Sequence, residues 1–303
     1  MFLLIILIIV ILYLYIHKHI EGFKEDDYKN DKRCLVCYYG GAFREGNIGS
    51  TISDTNYGYE SQENTSKTHA KLKSVLNEKG YQTDILINTR NTKYKDKLES
   101  WYNPFNIVIN NLSNKIHGKD YMIQSTIENI NKINKYDYDF ILFIRIDLFL
   151  KPDFYKILNT EIDKISFLSN NFDPRTCINT KKGNPEANDL FILIPKNYYY
   201  ILDKYFKLNH DSLSYLKTQY NLQDSDFAFM TNKMFDSNSA LDQNPFYLMS
   251  SRKENKEEHM NKTFETGLVT KTCPEYKQKN QTYLENPTQY YLDKYETFYN
   301  TNV

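Results

Sequence analysis

The chain has 303 residues, of which 41% are hydrophobic, so it has enough apolar material for one large α/β domain or two small ones. Its 38 basic and 38 acidic side chains leave no formal net charge, which argues against a basic surface for nucleic acid and against an acidic solvating tail. We therefore expect a globular protein without a nucleic-acid partner.

The amino terminus is an uncharged apolar run, residues 2–16, which Lys18 and other polar residues follow. Such a run predicts a transmembrane helix, and we assign residues 1–20 to a signal anchor. The alternative is a cleaved signal peptide, although no charged segment precedes the run and no small-x-small cleavage site follows it. The charged residues 21–32 are expected to form a stalk between this anchor and the domain.

The sequence leaves open on which side of the membrane the domain lies. Basic residues follow the apolar run and none precedes it, so the positive-inside rule places the domain in the cytosol. Glycosylation sequons would suit a lumen, but Asn is so frequent here that they carry little weight. These sequons begin at Asn64, Asn111, Asn261 and Asn280.

Cys34 and Cys37 have a C-x-x-C spacing, but they lie in residues 33–39, an apolar run that predicts a strand. Positions three apart on a strand point to opposite faces, so we expect both thiols to pack in a core. A metal site would need a second such pair, which the sequence lacks. Cys177 and Cys273 could form a disulfide in a luminal domain, and the sequence does not decide this.

The first predicted strand ends in a turn that contains Gly40, Gly41 and Arg44. Small residues let backbone N–H groups approach a ligand closely, and a cation just past the strand could meet a phosphate or a nucleobase. The alternative is a tight structural turn without a ligand.

Helices and strands are expected to alternate after this turn, which predicts an α/β layer with a largely parallel sheet. The apolar spacing and the flanking residues predict a helix over residues 66–79, a strand over 83–88 and a helix over 119–134.

The most informative segment is an apolar strand, residues 140–144, that runs into Arg145 and Asp147. Two residues apart on a strand, these two side chains would share one face. Charges at the carboxyl end of a central strand lie where open α/β sheets bind ligands, and a carboxylate there suits a hard cation beside a phosphate. The alternative is a partly buried ion pair that only orders the strand end.

Two acidic residues of the later chain are candidate functional groups. Asp189 precedes an apolar strand and could contact a sugar hydroxyl or serve as a turn residue. Asp226 precedes a predicted helix and could be a catalytic acid or base or a helix cap. The remaining expected elements are a helical turn at 154–158, strands at 165–168, 190–195 and 246–249, a substrate-covering loop at 169–186, and helices at 198–208 and 227–235.

Three of these features occur together: a strand ending in Gly40-Gly41-x-x-Arg44, the strand ending in Arg145-Ile146-Asp147, and a strand after Asn188-Asp189. With them the chain resembles glycosyltransferase-like proteins of the GT-A fold, particularly short ones from polysaccharide-synthesis loci and large DNA viruses. The resemblance covers residues 33–250, which we assign to a GT-A-like domain with a mostly parallel central sheet flanked by helices. Residues 251–303 are assigned to a Tyr-rich extension.

The resemblance implies a role for each candidate residue. A GT-A metal motif holds Mn²⁺ or Mg²⁺ against the diphosphate of a nucleotide sugar, and Asp147 matches its last carboxylate, whereas Arg145 replaces the first. Arg145 could itself neutralise the diphosphate, and Gly40, Gly41 and Arg44 would line the nucleotide pocket. Asp189 would face the donor or acceptor sugar, and Asp226 would be the base that deprotonates the acceptor.

The sequence therefore predicts a membrane-anchored glycosyltransferase that moves a sugar from a nucleotide-diphosphate sugar to a glycan or protein acceptor. The alternative is a non-enzymatic, membrane-anchored surface or virion protein with a degenerate transferase-like domain, because the first metal-binding acid is missing. A hydrolase or a Walker-type nucleotide-binding protein is disfavoured, since the sequence has neither a G-x-S-x-G elbow nor a G-x-x-x-x-G-K-[ST] loop.

Overall fold

The structure is a computed structural model that describes residues 32–44, 54–110, 118–158, 163–168, 190–203, 212–231, 247–249 and 287–300. The chain divides into two compact units, Met1–Lys32 and Arg33–Val303. The predicted anchor, most of the predicted stalk, Cys177, Cys273 and the loop at 169–186 lie outside the described residues. Among the residues described, no helix is long and apolar enough to cross a membrane.

The second unit alternates strands and helices, as the sequence predicts. Its described strands are β1 (Lys32–Gly40), β2 (Tyr81–Arg90), β3 (Asn106–Asn110), β4 (Phe140–Arg145), β5 (Leu148–Leu150), β6 (Ile165–Phe167), β7 (Phe191–Pro195), β8 (Phe227–Phe229) and β9 (Tyr247–Met249). Its described α-helices are α1 (Asn56–Glu78), α2 (Lys95–Tyr102), α3 (Gly118–Ile130), α4 (Pro152–Ile157), α5 (Ser212–Tyr220), α6 (Pro287–Lys294) and α7 (Glu296–Asn300).

Seven of the described strands form one sheet in the order β3-β2-β1-β4-β7-β6-β8, and β5 pairs with β9 in a small second sheet. β1 runs parallel to β4 with Tyr39 opposite Arg145, and β3 runs parallel to β2. β7 runs antiparallel to both β4 and β6, and β6 is parallel to β8. The predicted α/β architecture with a mostly parallel, helix-flanked sheet is confirmed.

β1 and β2 also run in the same direction, because their matching ends contact each other. At the amino ends, the Cys34 thiol donates to Thr83 Oγ1 at 3.4 Å, and beyond the carboxyl end of β1 the Ala42 N–H donates to Thr89 Oγ1 at 3.0 Å. The carboxyl ends of β1, β2 and β4 therefore meet at one edge of the sheet, which we call the carboxyl edge.

The sheet has a hydrophobic core on each face, and alternate residues of β1 divide between them. Cys34 belongs to one core and Cys37 to the other. Both thiols are free and fully buried, and burial raises the pKa of Cys34 to about 12. The prediction that this pair packs in the core is confirmed.

Two predicted elements have a different secondary structure from the one predicted. Phe227–Phe229 form strand β8 instead of the start of a helix, because Phe227 and Phe229 pack on Phe167 while their backbone extends the ladder of β6. Lys196–Asp203 form a 3₁₀ helix where an α-helix was expected. In the Tyr-rich carboxyl-terminal segment, α6 and α7 pack on the domain, and the Tyr299 hydroxyl donates to the Leu150 carbonyl at 2.7 Å.

Candidate functional site

Arg145 and Asp147 form a bidentate ion pair at the carboxyl edge. β4 ends at Arg145, and residues 146–147 form the turn into β5. Arg145 Nε donates to one carboxylate oxygen of Asp147 at 2.9 Å, and an Arg145 terminal nitrogen donates to the other at 2.7 Å. Asp147 is 1% exposed, so this is a two-point contact to a buried carboxylate rather than a surface salt bridge.

Arg44 reaches the same carboxylate from the turn after β1. Its terminal nitrogen lies 3.6 Å from an Asp147 oxygen. The turn is held by Phe43, which is fully buried with a φ of 55°, and its carbonyl accepts the N–H of Asp54 at 2.9 Å. The Arg44 side chain lies over Gly41, where an added Cβ would be only 2.5 Å from Arg44 Cδ. Gly41 is therefore small because Arg44 occupies the space beside it.

Arg90 is a third cation at this edge, and it is not among the candidate residues predicted from the sequence. It is the last residue of β2, directly after Thr89, which binds the turn after β1. Burial lowers the pKa of Arg44, and the charges of Arg145 and Arg90 lower it further against the attraction of Asp147. The available signal was its position, because β2 continues two residues past its predicted end and ends on an arginine at the edge where β1 and β4 also end.

Arg44, Arg90, Arg145 and Asp147 form what we call the arginine cluster. Arg145 and Arg44 contact the buried Asp147 carboxylate, and the charge of Arg90 acts on Arg44 from the end of β2. Guanidinium groups bind phosphate oxygens through paired N–H donors, and an anion relieves the repulsion of Arg44 by Arg145 and Arg90. The arginine cluster therefore has the type of donors that bind a phosphate.

A divalent cation does not fit the donor set that the structure describes here. Both oxygens of Asp147 accept N–H groups from Arg145, and Arg44 and Arg90 add further positive charge. Within the described ranges, no group of three or more His, Cys, Asp or Glu side chains could hold a metal ion. We therefore derive no step through Mn²⁺ or Mg²⁺, and metal ligation by Asp147 stays a prediction.

No family model and no curated protein matches the chain, but solved structures do. A glycosyltransferase involved in glycosylation of the major capsid of PBCV-1 aligns with 67% of this chain and 81% of its own, at 9% identity and a TM-score of 0.34. A candidate nucleotide-diphospho-sugar transferase from Desulfovibrio desulfuricans G20 aligns over 88% and 96%, at 10% identity and a TM-score of 0.42. A mutant Drosophila β-1,4-galactosyltransferase 7, in complex with manganese, UDP-Gal and xylobiose, aligns over 82% of each chain, at 10% identity and a TM-score of 0.36.

These structural neighbours are GT-A-type transferases, the group that the sequence resembles. Likenesses at such identities and TM-scores carry no argument about the activity of this chain. The function proposed below therefore rests on the arginine cluster.

Asp189 lies outside the described residues, but the residue that follows it is part of the carboxyl edge. The Leu190 carbonyl accepts the Arg145 N–H at 3.2 Å, and Phe191 pairs with Ile144. Because β7 is antiparallel to β4, the chain enters β7 at the edge where β4 ends. The sequence expectation for Asp189 as a sugar contact stays a prediction.

Asp226 lies far from the arginine cluster. β8 begins at the opposite edge of the sheet, since Phe227 pairs with Ile165 on a strand parallel to β4. The strand registers place Phe227, the residue after Asp226, roughly 13 Å back along the strand direction from Arg145 and roughly 14 Å across the sheet. The Asp226 carboxylate accepts the Gln223 N–H at 2.6 Å and the Tyr198 hydroxyl at 2.8 Å, which lowers its pKa. Asp226 thus closes a capping box with Gln223 on the 3₁₀ helix Asp224–Asp226 instead of capping a helix that follows it, and its role as a catalytic base stays a prediction.

The two glycines of the turn after β1 provide a matched test of the Arg44 position. Gly41→Ala should displace the Arg44 side chain and weaken binding of a nucleoside diphosphate about tenfold, with little loss of stability, because only a flexible side chain must move. Gly40→Ala should instead lower the stability of the fold and leave the binding of a nucleoside diphosphate nearly unchanged. Gly40 has a φ of 113° and open space around it, so alanine adds backbone strain of about 1–3 kcal/mol without touching Arg44.

Isothermal titration with UDP and GDP, together with urea unfolding, measures both effects. If Gly40→Ala and Gly41→Ala weaken binding equally, Arg44 does not contact the ligand.

Next to this site, His69 is buried in a fully bonded neutral state. Its Nε2–H donates to the Leu148 carbonyl at 2.9 Å, and its Nδ1 accepts the Tyr102 hydroxyl at 2.9 Å. A carbonyl only accepts, which fixes this tautomer. Burial lowers the pKa of His69 from 6.5 to about 3.

His69 should make the fold sensitive to acid. Because its pKa is lower in the folded state, the unfolded state takes up the proton first, so stability is complete above pH 6.5 and falls as the pH drops towards 3. Uptake of one proton on unfolding changes the free energy of unfolding by about 1.4 kcal/mol per pH unit. His69→Phe should be less stable than wild type at pH 7 but should lose that slope in urea unfolding between pH 7 and 4. A variant with the wild-type slope would contradict this assignment.

Proposed function

We propose that this chain is a glycosyltransferase that binds a nucleotide-diphosphate sugar at the arginine cluster and transfers the sugar to a glycan or protein acceptor. One observation carries the proposal: Arg44 and Arg145 both contact the buried Asp147 carboxylate at the carboxyl edge, and the charge of Arg90 acts on Arg44 there. Ligands of open α/β sheets bind at this edge, and guanidinium groups bind the oxygens of a diphosphate.

The cluster would act on the leaving group. Transfer breaks the bond between the anomeric carbon and the diphosphate, and negative charge grows on the departing oxygen. Guanidinium groups already held in place stabilise that charge more in the transition state than in the ground state. At least one Arg145 N–H would donate to the diphosphate instead of to Asp147. The remaining hydrogen bond to Asp147 would keep the guanidinium group oriented.

In this proposal the arginines neutralise the negative charge of the diphosphate. Mn²⁺ or Mg²⁺ at Asp147 would have to displace the two-point contact with Arg145 and would be repelled by Arg44. For an inverting transfer, a carboxylate must deprotonate the acceptor hydroxyl, and Asp189 is the candidate, since the next residue pairs with Arg145.

The proposal also includes a membrane anchor at residues 1–20 and a domain in the cytosol. The apolar run and the basic residues after it support this orientation. Asn64 adds support, because this sequon asparagine is 3% exposed and donates to Thr288 and Gln289 on α6. A glycan added to Asn64 before folding would keep α6 from packing on α1.

The test uses the purified full-length protein with a panel of UDP- and GDP-sugars, in EDTA and in Mn²⁺, measuring nucleotide release and sugar transfer. We expect release of the diphosphate in EDTA that is lost in Arg145→Met. Binding without turnover on any donor would favour the alternative of a non-enzymatic, transferase-like domain. Neither binding nor turnover would exclude the transferase and leave only the non-enzymatic alternative.

A further inference from the structure

We infer that Gln62 is a positioning residue that holds Arg44 and Arg145 at the spacing a diphosphate requires. The inference rests on the proposed function and adds a residue that touches neither the ligand nor the cluster. Gln62 lies on α1, is 2% exposed, and makes all of its contacts inside the protein.

Gln62 bonds to the two turns that carry the arginines. Its Oε1 accepts the N–H of Phe43, the residue before Arg44, at 3.4 Å. Its Nε2 donates at 3.0 Å to the carbonyl of Ile146, which lies between Arg145 and Asp147. One amide therefore spans the gap between the turn after β1 and the turn after β4.

The orientation of this amide is fixed by chemistry. The backbone N–H of Phe43 can only donate, and the carbonyl of Ile146 can only accept. A flipped amide would place N–H against N–H and oxygen against oxygen. The observed orientation is the one in which both contacts are hydrogen bonds, so Gln62 acts as a two-ended link rather than as a space-filling side chain.

A second contact extends the link to the far side of Asp147. Gln62 Nε2 also donates to the Tyr102 hydroxyl at 3.1 Å, and that hydroxyl donates to His69, which holds the Leu148 carbonyl. The carbonyls on both sides of Asp147 are thus bound by one buried network. Tyr38 stacks on the His69 ring at 4.3 Å and keeps the network in place.

The functional consequence concerns two phosphates rather than one. A diphosphate gains from Arg44 and Arg145 together only when their guanidinium groups are held at the correct separation, and errors near 1 Å remove much of that gain. A monophosphate can be bound by either arginine alone. Loss of Gln62 should therefore weaken the binding of a nucleoside diphosphate much more than that of the matching monophosphate.

The experiment compares Gln62→Met with Asn64→Leu in the full-length protein. Asn64 is a matched control because it is a buried amide on the same helix, bonded to α6 and not to either turn. Both variants should lower the melting temperature. We expect the ratio of UDP to UMP affinity, or of GDP to GMP, to fall about tenfold in Gln62→Met and to stay at the wild-type value in Asn64→Leu.

A second variant guards against misfolding of the first. Gln62→Leu keeps a side chain of similar size and removes the bonds to both Phe43 and Ile146, so the affinity ratio should fall here as well. A wild-type ratio in either folded Gln62 variant, or an equal fall in Asn64→Leu, overturns the inference. If the wild-type protein binds no nucleoside diphosphate, the proposed function itself fails.

Discussion

Asp147→Asn should lower the free energy of unfolding by about 3 kcal/mol and still bind UDP or GDP in EDTA within about fivefold of wild type. The stability loss follows because a carboxylate that is 1% exposed holds Arg145 at two points and Arg44 at 3.6 Å, and breaking a buried ion pair on one side leaves charges without compensation. The affinity changes little, because removing a negative charge favours the anion while the loosened arginines disfavour it. Urea unfolding and isothermal titration measure the two quantities.

Asp153→Asn is the matched control for this variant. Asp153 pairs with Lys156 at 2.6 Å on the surface, where solvent screens an ion pair so that its loss should leave stability nearly unchanged. Asp147→Asn with wild-type stability, but without Mn²⁺-dependent nucleotide binding, would show that Asp147 is a metal ligand and that the arginine interpretation is wrong.

Arg145→Met should weaken nucleoside diphosphate binding about 10- to 100-fold, which corresponds to the loss of charge-assisted hydrogen bonds worth about 1.5–3 kcal/mol. It should also destabilise the fold, since Asp147 keeps Arg44 but loses its two-point partner. The nucleoside diphosphate affinity of Arg145→Lys should lie between those of wild type and Arg145→Met, because a lysine keeps the charge and loses the paired donors.

Arg33→Met controls for the loss of a strand arginine as such. Arg33 forms an ion pair with Asp84 at 2.7 Å near the start of β1, at the end of the sheet opposite the cluster. Its replacement should lower stability and leave nucleotide affinity unchanged. Equal loss of affinity in Arg33→Met and Arg145→Met would assign the effect to stability alone.

The strands of the central sheet could be predicted because their sequences are apolar on both faces. β1, β4 and β7 stand within one or two residues of the predicted ranges. The amino-terminal half of α1 could not be predicted in this way. Its buried positions include Gln62, Asn64 and Thr65, and a search for apolar periodicity does not detect a helix face that is buried by hydrogen bonding.

The candidate site was only partly accessible to sequence reasoning. Gly41, Arg44, Arg145 and Asp147 lie together, because the strands before them are neighbours with their carboxyl ends at one edge. Asp226 could not be placed from sequence, since its distance from that edge depends on the pairing of β6 with both β7 and β8. Gln62 is 19 positions from Phe43 and 84 positions from Ile146, separations that no local sequence pattern reveals.

The most direct test of the account is isothermal titration of UDP and GDP into the purified full-length protein in EDTA, repeated in Mn²⁺. If the arginine cluster binds the diphosphate, one of these nucleotides should bind in EDTA with an affinity within about threefold of that in Mn²⁺. The same binding should be lost when Arg44 and Arg145 are both replaced by methionine. Binding that requires Mn²⁺, or that survives the double replacement, would contradict the account.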